Sequence, residues 1–236
     1  MCHEAQLGGG RRVISVAYDV VLLLHVLSFV YWLGADLGVF YGARFAANPR
    51  FSLETRVTVA DIMAFVDLFP RLCVPIAGVS GITLAVLSGQ LSPGPLWLWA
   101  AWIVAAVWIA LILWIYANRK QRQKISVLVA VDPWLRAFVL VILLLMGVVA
   151  LTGQGITQNM SIAVKLLIYA AAIFMSLVLR HLFRPYRPAL ARLVAGSGTQ
   201  EDDAIMQDAF ARTRPAVLLL WACTIAAASV GLWQPF

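Results

Sequence analysis

The chain reads as an all-α polytopic membrane protein: six transmembrane helices in one bundle, with a further helix lying at the interface. Three observations predict this. Of 236 residues, 62% are hydrophobic and 12% charged, too few charges to solvate a globule and a composition that suits the bilayer. Six apolar runs each approach the roughly 20 residues that a helix needs to cross about 30 Å of hydrocarbon. The basic residues gather in short loops between those runs, the pattern that sets membrane orientation.

The runs cover approximately 15–41, 70–90, 95–117, 133–153, 161–183 and 214–234, so a single transmembrane domain fills 1–236. The first has no small-residue cleavage site and is too long for a signal-peptide core, which predicts a retained helix. After it, Asn48, Pro49 and Ser52 mark a turn, and Ile62, Phe65, Leu68 and Phe69 recur at helical spacing opposite Asp61 and Asp67. That pattern predicts an interfacial helix leading into the second span at Pro70-Arg71. The connections 88–95 and 153–161 carry no charge, whereas NRKQRQK (118–124) and 180–214 are dense in Arg and Lys. The acidic, Gly-containing stretch before the last span predicts a flexible cytoplasmic connector over 185–213.

Loops after spans one, three and five are therefore expected in the cytoplasm of a bacterial-type inner membrane, with both termini opposite. Arg11 and Arg12 run against that assignment but are outnumbered. An excess of 18 Lys and Arg over 11 acids would suit nucleic acid, but its confinement to loops between spans points to the lipid bilayer as partner. Cys2, Cys73 and Cys223 have no CxxC spacing, so neither a zinc site nor a disulfide framework is indicated. No phosphate loop, dinucleotide fingerprint, HExxH or Ser/His/acid grouping occurs. Trp97, Trp99, Trp134 and Trp233 near span ends are expected as interfacial anchors.

Candidate functional residues lie within the spans, where ionisable groups are costly. In the first span His25, Ser28, Trp32 and Asp36 are spaced by three, four and four residues, one stripe of a helix and hence a polar seam facing protein. Gly34 and Gly38 beside it form a GxxxG step, suited to close helix packing or to a homodimer. By helix rise, Asp19 and Lys165 fall near the outer ends of their spans and are expected to pair. Asp36, Arg71 and Arg136 fall at a shared inner depth as a second charge cluster.

A heme iron is the cofactor best matched to one imidazole in an apolar slot, which makes His25 the metal ligand. His181 lies too deep to share that heme. Met146, at about the depth of His25, and Met175, somewhat deeper, are the candidates for the opposite axial position.

The order of several motifs carries a resemblance. His25, then Trp32-Leu33-Gly34 and a helix ending at Arg44, resembles the first helix of the membrane-embedded, heme-b-associated protoporphyrinogen IX oxidases of the HemJ type, and of the related copper-resistance D-like proteins. Pro70-Arg71 through Gly81-Ile82-Thr83-Leu84 is similar to the second family helix. Val164-Lys165-Leu166-Leu167 is similar to the lysine-bearing helix start, and Arg214-Pro215-Ala216 with an apolar run to Gln234-Pro235-Phe236 to the final helix. These motifs span about half the chain.

The resemblance implies heme b, His25 as its axial ligand, and Lys165 as a second functional position. That family has four helices, so spans three and four would be additions. It also carries a histidine about three turns beyond the lysine, where this chain has Met175 and Ser176.

The expectation is thus a heme-b redox protein, an oxidoreductase or electron-transfer component working with a membrane redox partner, in which Lys165 meets a carboxylate of heme or substrate and Asp36 and Arg71 tune potential or carry protons. Two other readings fit the same residues: a transporter or permease using the seam as a polar route, and a non-catalytic assembly subunit.

Overall fold

The computed structural model describes the backbone of residues 2–92, 94–121, 124–155, 157 and 159–233, and side chains from Ser15 onward except at Pro95 and Lys120. Arg11, Arg12 and the Gln234-Pro235-Phe236 end therefore lie outside the described side chains. The helices are α1 (Cys2–Ala46), α2 (Leu53–Val66), α3 (Leu68–Leu87), α4 (Pro95–Ala117), α5 (Ser126–Leu151), α6 (Met160–Leu182), α7 (Tyr186–Val194) and α8 (Gln200–Trp233), with a short 3-10 turn at Arg119–Gln121. Among the described residues there is no strand, and six helices are long and apolar enough to cross a membrane. The chain is a polytopic, all-α membrane bundle.

Local chemistry sets many boundaries. Ser52 caps α2 by accepting from the Thr55 amide at 3.2 Å, and Asn159 caps α6 by accepting from Ser161 and Ile162, filling donors that a helix start leaves orphaned. Pro95 occupies the first turn of α4, where its missing N–H costs nothing. Helix α5 begins at Ser126, earlier than the 133 expected from hydropathy, because Asp132 and Pro133 lie inside it. Pro133 removes the donor that would serve the Val129 carbonyl. Arg180 of α6 donates to that carbonyl at 2.7 Å instead, the kind of rescue by a neighbouring helix that lets proline persist in a membrane span.

The spanning helices form a closed ring. Each packs on the next in sequence, α1 on α3, then α4, α5, α6 and α8, and α8 returns to α1, while α3 and α6 touch across the middle. Trp32, Val74, Trp108, Leu143, Ile173 and Leu220, one from each spanning helix, meet in the central core. The stripe expected on α1 does face protein: Ser28 and Trp32 are buried, while His25 and Asp36 are half-buried. Trp97, Trp99, Trp134 and Trp233 are exposed on the outer surface of the ring, as interfacial anchors should be.

A second core joins Ala46, Met63, Tyr186, Ala189, Met206 and Phe210 at the end where the basic loops lie. It corrects the expected connector at 185–213, which is α7 followed by the first part of α8 rather than a flexible segment. At about 1.5 Å per residue, the 34 residues of α8 run some 50 Å, so its acidic first turns stand beyond the hydrocarbon. Met206, Ala209 and Phe210 recur at helical spacing and find cover there, which is why the stretch folds.

Arg56 binds this basic end together. Its buried guanidinium donates to the Ala46 carbonyl at 3.1 Å and to Asp203 at 2.7 Å, so one side chain of α2 caps the end of α1 and fastens α8. Asp202 lies beside this joint, accepting from the Thr199 amide at 3.0 Å and from Arg192 Nε at 2.8 Å. Hydrogen bonds from Arg192 and Thr199 hold its carboxyl below the ordinary aspartate range.

The Gly34 and Gly38 step is looser than its motif suggests. A Cβ at Gly34 would meet nothing within 4 Å, and one at Gly38 only Val66 at 3.5 Å. The close approaches occur elsewhere: at Gly78 a Cβ would fall 2.7 Å from the Tyr169 hydroxyl, and at Gly147 2.7 Å from Leu167.

Candidate functional site

His25 of α1 is held by α3. Its Nδ1 lies 3.0 Å from Ser80 Oγ, and the absence of a side chain at Gly81 makes room for the ring, whose Cε1 would sit 3.1 Å from a Cβ there. Ser80 is fully buried, and its hydroxyl points 2.6 Å from the Ile76 carbonyl in its own helix.

A hydroxyl has one proton, and this one is committed to Ile76, so Ser80 Oγ must accept from His25 Nδ1–H. The tautomer follows: Nε2 carries the lone pair. The Ala77 carbonyl of α3 also lies within hydrogen-bonding reach of the ring.

Lys165 enters the same region from α6. Its ammonium lies against Gly231 of α8, 3.6 Å from where a Cβ would be, and close enough to His25 to act on it electrostatically. The expected ion pair with Asp19 does not form: Asp19 is exposed on α1, and among the described residues no ion pair joins it to Lys165. His25, Ser80 and Lys165 thus converge from three helices toward the uncharged end, an imidazole in the neighbourhood of an ammonium.

The methionines take other places. Met175 packs into the central core and, 10 residues beyond Lys165 in sequence, lies about 15 Å farther along α6. Met146 precedes Gly147 on α5, a helix that packs between α4 and α6 and so stands across the ring from α1, with two helices between them on either side. His181 is exposed at the basic end. Among the described residues no three His, Cys, Asp or Glu side chains gather as a metal site.

The inner charge cluster is rearranged from the expected one. Arg71 pairs with Asp67, four residues before it, and Arg136 pairs with Asp132 at 3.2 Å, again at a spacing of four. Asp132 also pairs with Arg180, and Arg136 donates to Ser176 at 3.1 Å while resting over the Trp108 ring. Asp36 is left out of these pairs. Its carboxylate is half-buried in the span and faces the Trp221 Nε1–H of α8, the donor nearest to it.

Sequence reasoning missed Ser80, Asp132 and Arg180. Ser80 directly precedes the quoted Gly81-Ile82-Thr83-Leu84 step, but nothing local ties it to a histidine 55 residues earlier. Asp132 and Arg136 had a visible signal, opposite charges one helical turn apart.

Comparison with known protein families, curated proteins and solved structures returns no match to this chain.

Proposed function

We propose that this membrane protein is a heme-b-binding redox protein, an oxidoreductase or electron-transfer component, with His25 as iron ligand. One observation carries the reading: the Ser80 hydroxyl, directed at Ile76, accepts from His25 Nδ1–H, an arrangement that gives the ring's lone pair to Nε2. Metal-binding histidines characteristically donate their other ring N–H in this way. With neither Met146 nor Met175 beside His25, the protein would supply a single axial ligand to the iron. Heme iron, when bound, supplies one-electron exchange.

The chain's own contributions are definite. Gly81 leaves space for the imidazole, Ser80 orients it, and Lys165 offers an ammonium to a carboxylate of heme or substrate. The resemblance of the His25, Trp32-Leu33-Gly34 and Lys165 segments to HemJ-type and copper-resistance D-like proteins supports the same assignment. By the positive-inside pattern, the basic end faces the cytoplasm of an inner membrane.

The test is the absorption spectrum of detergent-purified protein, oxidised and then reduced. A Soret band lost in His25→Ala is expected, and Ser80→Ala should weaken heme binding about 10- to 100-fold. Protein that stays colourless after heme addition refutes the reading.

A second reading, ion or proton passage, is favoured by Asp36, a carboxylate within a span that takes part in no ion pair among the described residues. Flux into liposomes should then be lost in Asp36→Asn. Flux unchanged in that variant eliminates it.

A further inference from the structure

A shallow cleft of about 620 Å³ lies at the basic end, between the last turn of α1, the turn that follows it and α8. Three exposed arginines line it, Arg44, Arg50 and Arg214. The one acid in its lining, Asp208, is already engaged by Arg212 of the same helix at 2.8 Å. Among the described residues no ion pair reaches Arg44, Arg50 or Arg214. Arg214 rests instead over the Phe210 ring, 4.8 Å from its centroid, which steadies the guanidinium and leaves its N–H donors available.

The level of the cleft matters as much as its charge. Arg44 stands in the last turn of α1, and Arg214 directly precedes Pro215 and the apolar part of α8, so both stand where hydrocarbon gives way to headgroups. Just below, Phe40 of α1 packs on Phe210 and Trp221 of α8, with ring centroids 5.9 and 5.4 Å apart, and floors the seam between the two helices. Leu37, Tyr41 and Arg44 follow one another at helical spacing on α1, as Arg214, Leu218 and Ile225 do on α8. All of them are exposed, so an apolar strip runs from each arginine into the hydrocarbon. A free anion has no use for such strips, whereas a lipid does.

We propose that this cleft binds an anionic phospholipid of the surrounding bilayer, its phosphodiester held by Arg44, Arg50 and Arg214 and its acyl chains lying along the seam of α1 and α8. Guanidinium forks match phosphate oxygens, and basic clefts between spanning helices at headgroup depth suit such lipids. The small side chains of Ala47 and Ala211 line the cleft and leave it room. A lipid so held bridges the first and last spanning helices, the joint that closes the ring. The site is independent of the heme reading, since His25 and Lys165 lie toward the opposite end of the bundle.

The test takes protein from nanodiscs of phosphatidylcholine with a minor share of phosphatidylglycerol and counts the lipid it retains by native mass spectrometry. Selective retention of phosphatidylglycerol is expected. Arg44→Gln and Arg214→Gln should each lower it about fivefold, the loss of roughly one basic contact at the membrane surface. Ala211→Phe, which fills the cleft from an exposed position without removing a charge, should lower it too. Arg119→Gln, elsewhere at the basic end, should leave it unchanged, and added inorganic phosphate should not displace the lipid.

Displacement by phosphate means that the cleft takes the free ion and overturns the lipid assignment. Equal retention of the two lipids, retention untouched by Arg44→Gln, Arg214→Gln and Ala211→Phe, or an equal loss in Arg119→Gln overturns the site.

Discussion

The pairing of Pro133 with Arg180 makes a quantitative prediction. Replacing Arg180 with Met removes the 2.7 Å donor to the Val129 carbonyl and one of the two arginines on Asp132. In wild type the carbonyl then has no donor, a loss worth about 1–3 kcal/mol for a buried acceptor. Because the Arg180 side chain is 33% exposed, water reaches the site, and the lower half of that range, about 1–2 kcal/mol, applies. Pro133→Ala restores the backbone N–H that α5 lacks, and that N–H donates to Val129 directly. Arg180→Met should therefore cost about 1–2 kcal/mol less in the Pro133→Ala background than in wild type, while its cost at Asp132 is the same in both. Reversible unfolding of the four proteins of this cycle in mixed micelles measures the difference. Additivity within about 0.5 kcal/mol would refute the idea that arginine replaces the missing amide.

Three further outcomes follow from the same geometry. Arg56→Met should destabilise the protein by about 3–4 kcal/mol, the usual cost of breaking a buried pair, and hydrogen exchange in the first turns of α8 should accelerate in parallel. Asp202 has a lowered folded-state pKa, so its contribution is present above the unfolded aspartate pKa and is lost as pH falls through the folded value. Asp202→Asn should accordingly lower thermal stability at neutral pH and flatten its acid limb below about pH 4, with the two proteins converging at the acid end. Gly78→Ala places a methyl group 2.7 Å from the Tyr169 hydroxyl, which must shift and give up its bond to the Val74 carbonyl. A loss of about 1–3 kcal/mol is expected, recovered in part by Tyr169→Phe.

How far the sequence could be read varies with whether the signal is local. The span expected at 95–117 coincides with α4 because Gly94-Pro95 and Asn118 punctuate it within a few residues. The fourth span was legible only from 133, since Asp132 looks unfit for hydrocarbon until Arg136 and Arg180 neutralise it. Depth along a helix was legible too, which placed Asp36, Arg71 and Arg136 at one level. Direction around the axis was not, so the partners turned out to be the acids one turn away, Asp67 and Asp132. The same limit explains Asp19 and Lys165, which share a level but do not meet. For His25 the seam was evident from spacing, while its anchor on Ser80 belongs to another helix. The helical recurrence of Met206, Ala209 and Phe210 was present in the acidic stretch but masked by its charges and neighbouring glycines.

The joint between Arg56 and Asp203 has a consequence for how the protein comes into being. The two residues are 147 positions apart, so at a synthesis rate of about 5–20 residues per second the ribosome delivers the second some 7–30 seconds after the first. Through that interval the nascent hairpin of α1 and α3 waits in the bilayer with Arg56 at its edge, able to reach the Ala46 carbonyl but without its carboxylate. The first turn of α8 supplies the missing anion, and the rest of that helix then closes the ring between α6 and α1. Assembly of this bundle is therefore gated by its final segment, and a ribosome paused before that segment would strand a half-built, lipid-wetted intermediate.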